Sequence, residues 1–350
     1  MISRMLKNIV SLLFMFTMCS SSSLYAQEPG NQLSAGMVNP GYVEKPAWFK
    51  DSFLDIRDDI SEATESGKRV LLYFYQDGCP YCERLVKENM SQKDIVDSLQ
   101  NKFDVIAINM WGDREVIGLD GKETTEKNFA VANKIIFTPT LQFLDEQGKH
   151  VLRLNGYVPP RKFIVALDYV SLKKEKDGSF RDYMAKVNPS AGSGKLHTNS
   201  SFIQEPFDLS ARQSAKPLLV FFEQKNCPPC DELHEDVLKQ QGSAELLKKF
   251  DVVLLDTWSK TPVITPQGKK TTAENWGKEL NLTYVPSMMF FDEKGEEVFR
   301  AEGWLRTFHV QSSMEYVSGK AYLEEKEFQR FVEARASRLR EQGIEVDLLK

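Results

Sequence analysis

The sequence contains little cysteine and little histidine. Five of its 350 residues are Cys and four are His. Cys19 lies in an N-terminal stretch typical of export signals, so the mature chain would keep two short pairs, Cys79 with Cys82 and Cys227 with Cys230. A zinc ribbon typically joins pairs about 15–20 residues apart, whereas Cys227 follows Cys79 by 148 residues. The spacing argues against a zinc site, and no metal is expected.

The sequence also has no excess of positive charge. It contains 45 Lys and Arg against 50 Asp and Glu, for a formal net charge of −5. This balance argues against electrostatic binding to nucleic acid or to anionic lipid. The hydrophobic content of 41% and the charged content of 27% are typical of globular proteins, and 350 residues predict two domains.

The one apolar stretch that could be mistaken for a membrane span lies at the N-terminus. Two basic residues precede the apolar residues 9–18, and a polar segment follows that ends at Ala26. This pattern predicts a signal peptide over residues 1–26 and a periplasmic or secreted protein without stable membrane insertion after cleavage. An uncleaved anchor remains the alternative, although the apolar stretch is about half the roughly 20 residues that a spanning helix needs.

An internal repeat organises the rest of the chain. The segment FDVIAINMW at 103–111 matches FDVVLLDTW at 250–258, an offset of 147 residues. The same offset relates Pro139 to Pro286, and the two cysteine pairs are offset by 148 residues. The chain therefore contains two copies of one domain.

Each copy alternates strand and helix patterns. An apolar run, VLLYFY or LLVFF, has the composition of a strand buried on both faces, and the Cys-Pro-x-Cys turn follows it. Further strands and helices follow in the same order in both copies, which predicts an α/β fold with a mixed sheet flanked by helices. The first copy also has Phe49, Phe53, Ile56, Ile60 and Ala63 at helical spacing, which predicts an amphipathic helix before its first strand.

These patterns divide the chain into six parts. The segment VNPSAGSGKLHTNSS at 187–201 is rich in Gly, Ser and Asn, which indicates a flexible linker between the two copies. The predicted parts are a signal peptide at 1–26, an N-terminal extension at 27–45, domain one at 46–186, a flexible linker at 187–201, domain two at 202–335 and a C-terminal helical tail at 336–350.

The Cys-Pro-x-Cys turns carry the chemistry. Two cysteines separated by two residues can form a disulfide, and a cysteine at a helix N-terminus has a lowered pKa because backbone N–H groups and the helix dipole stabilise its thiolate. Cys79 and Cys227 are therefore the expected nucleophiles, and Cys82 and Cys230 the resolving thiols. A structural disulfide or a metal-binding dithiol are the alternatives.

The residues around the pairs support the redox interpretation. Proline is favoured in a helix's first turn, and Pro80 and Pro228 stand there. The copper-binding alternative would need a companion ligand, and His234 is better explained as a solvated residue on a helix surface. No role is assigned to the other three histidines, His150, His197 and His309.

The order of motifs resembles the thioredoxin fold and, more closely, the SoxW-like branch of thioredoxin-related proteins. The resemblance rests on GKRVLLYFYQDGCPYC, DGKETTEKNFA and FTPTLQFLDEQGKHVLRLNGY. It covers residues 46–185, and the repeat extends it to about 202–335. It implies two tandem thioredoxin-like domains, each with a hairpin insert near Gly121 or Gly268.

The resemblance also implies a second half to each site. Pro139 and Pro286 would be cis prolines that face the cysteine pairs, with Thr138 and Val285 before them contacting an extended substrate segment. Two departures from ordinary thioredoxins stand out: Tyr73 and Phe221 occupy the place of a buried Asp. The copies also differ before the proline, where Thr138 corresponds to Val285, and inside the turn, where Tyr81 corresponds to Pro229. These differences predict two sites of different redox character.

Taken together, the motifs predict an extracytoplasmic thiol:disulfide oxidoreductase with redox disulfides Cys79–Cys82 and Cys227–Cys230. The SoxW-like resemblance implies reduction of disulfides in exported proteins, with electrons from a membrane thiol transporter and with no metal or organic cofactor. The alternatives are a disulfide isomerase or oxidase, a tandem chaperone or adaptor in which the cysteines are secondary, and a metal carrier.

Overall fold

The computed structural model describes residues 41–187, 192–282, 284–303, 305–344 and 346. The predicted signal peptide and most of the predicted N-terminal extension lie outside these ranges. Within them, no helix combines the length and the apolar character that crossing a bilayer requires.

Domain one is built on a four-stranded mixed sheet. Its strands are β1 (Arg69–Tyr75), β2 (Phe103–Asn109), β3 (Glu115–Ile117), β4 (Glu123–Thr125), β5 (Thr140–Leu144) and β6 (His150–Asn155). The sheet order is β2-β1-β5-β6, with β1 parallel to β2 and antiparallel to β5, while β3 and β4 form a separate hairpin. Its helices are α1 (Ile56–Glu65), α2 (Pro80–Arg84), α3 (Lys93–Lys102), α4 (Glu126–Ala132), α5 (Pro160–Ser171) and α6 (Phe180–Val187), with a π-helical turn at Leu85–Asn89 and a 3₁₀ turn at Lys174–Lys176.

The predicted first helix is shorter than its apolar pattern. The Asp55 side chain accepts a hydrogen bond from the backbone N–H of Arg57, so helix α1 begins at Ile56. Ile56, Ile60 and Ala63 are buried as the spacing predicts. Phe49 and Phe53 both lie before the cap, and Phe53 is fully exposed, so the inclusion of these two residues in the amphipathic helix was wrong.

Domain two repeats the four-stranded mixed sheet. Its strands are β7 (Phe207–Asp208), β8 (Leu218–Glu223), β9 (Asp251–Asp256), β10 (Pro262–Ile264), β11 (Lys270–Thr272), β12 (Ser287–Phe291) and β13 (Glu297–Glu302). The sheet order is β13-β12-β8-β9, and the short strand β7, which stands in place of a first helix, pairs in parallel with β10. Its helices are α7 (Pro228–Glu232), α8 (Gln241–Leu247), α9 (Ala273–Glu279), α10 (Thr307–Ser318) and α11 (Phe328–Glu341), with a π-helical turn at Leu233–Val237 and a 3₁₀ turn at Ala321–Leu323.

The predicted architecture of two α/β domains with mixed, helix-flanked sheets is confirmed. Both first strands are buried on both faces, as their continuous apolar runs predict. Helix α11 runs through residue 335, where the sequence placed the end of domain two.

The described parts of both domains belong to one compact unit. Phe137 of domain one lies in the hydrophobic core of domain two, with its ring centroid 5.5 Å from that of Phe328. The amide of Gln329 donates a hydrogen bond of 2.9 Å to the carbonyl of Ile136. In the opposite direction, Tyr284 of domain two packs against the core of domain one. The domains therefore share apolar contacts at the segments that precede Pro139 and Pro286.

Candidate redox sites

Both cysteine pairs lie where a buried central strand gives way to a helix. Cys79 caps α2 and Cys227 caps α7. In each pair the Sγ of the first cysteine accepts a hydrogen bond of 3.1 Å from the backbone N–H of the second. Both pairs form disulfides, with 5.2 Å between Cα atoms. After reduction, the same N–H group and the helix dipole would stabilise a thiolate on Cys79 or Cys227.

A cis proline lies opposite each pair, as the resemblance implies. The peptide bonds Thr138–Pro139 and Val285–Pro286 are both cis. The Sγ of Cys79 lies 3.4 Å from the carbonyl oxygen of Thr138 and accepts a hydrogen bond of 3.4 Å from its hydroxyl. Val285 has no hydroxyl to offer Cys227. The two sulfur environments therefore differ at the position that the sequence singled out.

In the second domain, a small cavity lies between the cysteine turn and the cis proline. Pro286 lines it together with Pro229 from the cysteine turn, so the cis proline and the turn face one another there as well.

The first cysteine turn is covered by domain two. Cys79, Pro80, Tyr81 and Cys82 are all buried. The ring of Tyr81 packs edge-on against His309 with centroids 5.3 Å apart. Burial, aided by the positive charge of Arg335, lowers the pKa of His309 to about 4, so this ring is neutral at physiological pH.

The second turn is more open, because Pro228 is exposed and Pro229 is partly exposed, although Cys227 and Cys230 are themselves buried. Gly192, from the predicted linker, lies directly against the turn. A Cβ added at Gly192 would lie 2.3 Å from the backbone nitrogen of Cys227, so only glycine fits this approach.

The next residues of the linker bind the helix that follows. Ser193 donates hydrogen bonds from its backbone N–H and its hydroxyl to the carboxylate of Asp231, at 2.8 and 2.6 Å. The described part of the linker is thus attached to the second cysteine motif, one residue beyond Cys230.

His234 is not the solvated residue that the sequence suggested. Its side chain is 9% exposed and its Nε2 lies 2.6 Å from the Oε1 of the fully buried Glu223. Its ring stacks on His197, with centroids 4.9 Å apart, and the Nε2 of His197 lies 2.7 Å from Asp231. The four side chains bond in two pairs, and across the described part of the chain no three metal-ligating side chains converge in a way that could hold a metal ion.

Sequence reasoning missed the Glu223–His234 pair. Tyr73 and Phe221, which occupy the place of the buried Asp of ordinary thioredoxins, are buried strand residues. Glu223 lies two residues after Phe221 and therefore on the same face of β8. The signal that could have found it is an acidic residue at the end of an entirely apolar buried strand, LLVFFE. Domain one has Tyr75 at the matching position.

The matching tryptophans that follow β2 and β9 are held by the residues that precede the cysteine turns. The Nε1 of Trp111 donates to Gln76 at 2.7 Å, and the Nε1 of Trp258 donates to Gln224 at 2.9 Å. Each indole also lies beneath a cation from a C-terminal helix of the other domain. These are Arg330 over Trp111, at 5.3 Å, and Arg181 over Trp258, at 4.1 Å.

A model of the thioredoxin-like domain family matches residues 56–171 and again residues 209–318. Among solved structures, a thioredoxin-fold protein from Helicobacter pylori is 25% identical, with 39% of this chain and 86% of that chain covered and a TM-score of 0.33. A thioredoxin from Thermus thermophilus is 25% identical, with coverages of 34% and 86% and a TM-score of 0.28. The C-terminal domain of Neisseria meningitidis DsbD in the oxidised form is 16% identical, with coverages of 33% and 92% and a TM-score of 0.27. No curated protein matches the sequence.

Proposed function

Because the chain belongs to the thioredoxin-like domain family, we propose that it is a thiol:disulfide oxidoreductase that acts outside the cytoplasm on disulfides of exported proteins. One observation carries the proposal. In both domains the first cysteine caps a helix, accepts an N–H hydrogen bond at its sulfur and lies in a domain with a cis proline at the matching position. A purely structural disulfide does not require this arrangement twice.

The chemistry is a two-step exchange. In the reduced protein, the Cys227 thiolate attacks one sulfur of a substrate disulfide, the substrate S–S bond breaks and the other substrate sulfur leaves as a thiolate. The Cys230 thiolate then attacks the Sγ of Cys227, releases the second substrate thiol and leaves the Cys227–Cys230 disulfide. Two electrons pass to the substrate. Cys79 and Cys82 perform the same steps in domain one.

The cis prolines present the substrate. The backbone of Thr138 or Val285, directly before the cis bond, would pair with an extended substrate segment and bring its sulfur to the nucleophile. The exchange needs no metal or organic cofactor, because both electrons are carried by the cysteine sulfurs.

We also propose the cellular setting. The pattern over residues 1–26 supports export. The six-part division of the chain remains a proposal from the sequence, and helix α11 crosses its boundary at residue 335. The hairpin β3–β4 and its counterpart β10–β11 lie where the SoxW-like resemblance places an insert, which supports that branch. The SoxW-like branch implies that a membrane thiol transporter returns electrons to the oxidised pairs, so that the net direction is reduction.

The test is reduction of a protein disulfide by the mature chain, residues 27–350, with dithiothreitol as the terminal reductant. The parent is compared with three variants: Cys79→Ser with Cys82→Ser, Cys227→Ser with Cys230→Ser, and all four changes together. We expect the parent to accelerate reduction of insulin and the fourfold variant to lose the acceleration while keeping its circular dichroism. If the fourfold variant is as active as the parent, the cysteines are not the reacting groups.

A chaperone or adaptor role gives the opposite pattern. Suppression of aggregation of an unfolded client by the folded fourfold variant, together with no catalysed reduction by the parent, would favour that role instead.

A further inference from the structure

A cavity of about 380 Å³ lies between the two domains, next to the second cysteine turn. Domain two forms one wall, which includes Asn226, directly before Cys227, and Val285, directly before the cis proline. Domain one forms the opposite wall with the starts of α5 and α6, including Lys162 and Arg181. The volume lies within the usual range of ligand pockets. A substrate bound to the backbone before the cis proline of domain two would therefore also contact side chains of domain one.

Positive charge predominates in this cavity. Lys162, Arg181 and Lys225 line it, against the single carboxylate of Asp256. The guanidinium of Arg181 is held in place, because its Nη1 donates 3.1 Å to the carbonyl of Thr257 and the group lies 4.1 Å from the centroid of the Trp258 ring. A fixed cation of this kind loses little conformational entropy when it binds an anion.

Among the residues that the structure describes, no carboxylate forms an ion pair with Lys162, and burial lowers the pKa of its amine. A cation held in a partly dry site interacts more strongly with an incoming carboxylate than an exposed lysine does, because water screens the pair less.

The remaining lining is largely apolar. Phe180 and Met184 from α6 face Trp258, Tyr284 and Val285 from domain two. The Tyr284 hydroxyl is buried and has no hydrogen-bond partner among the residues that the structure describes. The cavity thus offers apolar contact area together with cations and one unsatisfied hydroxyl.

We propose that this cavity is the substrate groove of the second cysteine pair, and that it selects extended segments in which an Asp or Glu and an apolar residue flank the half-cystine. The carboxylate would lie between Lys162 and Arg181, and the apolar side chain against Trp258 and Met184. Domain one then acts as the specificity element of domain two. This inference rests on the proposed function, because it assigns a substrate class to the same site.

The first cysteine turn is instead covered by contacts from domain two. The ring of His309 packs on Tyr81, and Gln329 bonds the carbonyl of Ile136, two residues before Thr138. These contacts cover the first site, whereas Pro228 of the second turn is exposed and Pro229 is partly exposed, so we place the selection at Cys227.

The test uses the full mature chain with Cys79→Ser and Cys82→Ser, so that only the second pair reacts. The probes are two nine-residue peptides with one central cysteine joined to 2-mercaptoethanol as a neutral mixed disulfide. One peptide has Glu and Leu beside the cysteine, and the other has Gln and Leu. We expect kcat/KM to be about tenfold higher for the Glu peptide at low salt, which corresponds to about 1.4 kcal/mol. Lys162→Met should reduce this preference to about twofold, while Arg161→Met, the same charge loss at the exposed neighbour, should keep it.

Equal rates for the two peptides, or an undiminished preference in Lys162→Met, would overturn the groove. Failure of the proposed function is detected separately with bis(2-hydroxyethyl) disulfide, a neutral small disulfide. If the parent does not reduce it, the chemistry is wrong. The groove can then still be tested by calorimetry with the Glu peptide in which serine replaces cysteine. This peptide should bind the parent more tightly than it binds Lys162→Met.

Discussion

The hydroxyl of Thr138 donates a hydrogen bond to the sulfur of Cys79 over 3.4 Å. Hydrogen bonding to a charged group favours the charged form, so this contact stabilises the Cys79 thiolate after reduction. Thr138→Val should therefore shift the midpoint of the pH profile of Cys79 alkylation upward by about one pH unit. The measurement is the iodoacetamide rate at Cys79 in a chain with Cys82→Ala, Cys227→Ser and Cys230→Ser.

Two matched variants control this prediction. Thr138→Ser keeps the hydroxyl and should keep the midpoint. In a second chain, with Cys79→Ser, Cys82→Ser and Cys230→Ala, Val285→Thr introduces a hydroxyl at the corresponding place of domain two and should lower the midpoint of Cys227 alkylation. Identical midpoints for the Val and Ser variants at residue 138 would show that the hydroxyl has no effect on the sulfur.

The contact between Tyr81 and His309 makes the domain interface sensitive to acid. The folded-state pKa of His309 lies at about 4, below the ordinary histidine value of 6.5, because the ring is buried and faces the cation Arg335. A base whose pKa is depressed by folding takes up protons first in the unfolded state, so its stabilising contribution is complete above pH 6.5 and is lost as the pH falls toward about 4.

This linkage predicts a loss of about 3 kcal/mol in the free energy of unfolding across that range. It is measured as the difference between the parent and His309→Phe, which keeps an aromatic ring on Tyr81 but cannot titrate. If both proteins lose stability in parallel between neutral and acidic pH, His309 is not the responsible group.

The carboxylate of Asp231 holds the linker against the second cysteine turn. Losing the two hydrogen bonds from Ser193 would cost about 1 kcal/mol, so reduced Asp231→Asn should expose Cys227 and accelerate its alkylation about fivefold. Ser193→Ala weakens the same contact without changing any charge and should act in the same direction. Glu235→Gln, a change of charge at an exposed neighbour, is the control. A rate increase in Asp231→Asn but not in Ser193→Ala would assign the effect to charge instead.

Glu223 and His234 form a pair that domain two has and domain one lacks. Glu223→Leu leaves the largely buried ring of His234 without its partner and should destabilise the protein by about 3 kcal/mol in urea unfolding. The double variant Glu223→Leu with His234→Val approaches the apolar character of Tyr75 and Val86 in domain one. It should be more stable than Glu223→Leu alone. A double variant that loses the sum of both single effects would argue against a coupled pair.

Much of the fold could be predicted because it depends on local patterns. The 147-residue offset related the strands of both domains, and the apolar runs before the cysteines are buried strands. Both cysteine pairs and both cis prolines lie in motifs whose conformation is set by neighbouring residues.

The contacts between domains could not be predicted in the same way. Phe137 has the pattern of a residue in its own domain, but it is buried in the core of the other. His309 and His234 are ordinary helix residues in the sequence and become buried only because distant elements cover them. The linker composition indicates flexibility, and the glycine that it supplies at 192 is used for close approach to Cys227. Each of these depends on pairings between residues far apart in the chain.

The most direct test of the central claim is to trap the exchange intermediate at the second pair. A protein of residues 27–350 with Cys79→Ser, Cys82→Ser and Cys230→Ala has Cys227 as its one cysteine. Incubated in the reduced state with insulin, it should form a mixed disulfide through Cys227, at one adduct per chain by mass spectrometry. The matched chain with Cys227→Ala and Cys230 retained should form little adduct. Absence of an adduct at Cys227, although iodoacetamide alkylates it, or equal trapping at Cys230, would contradict the account.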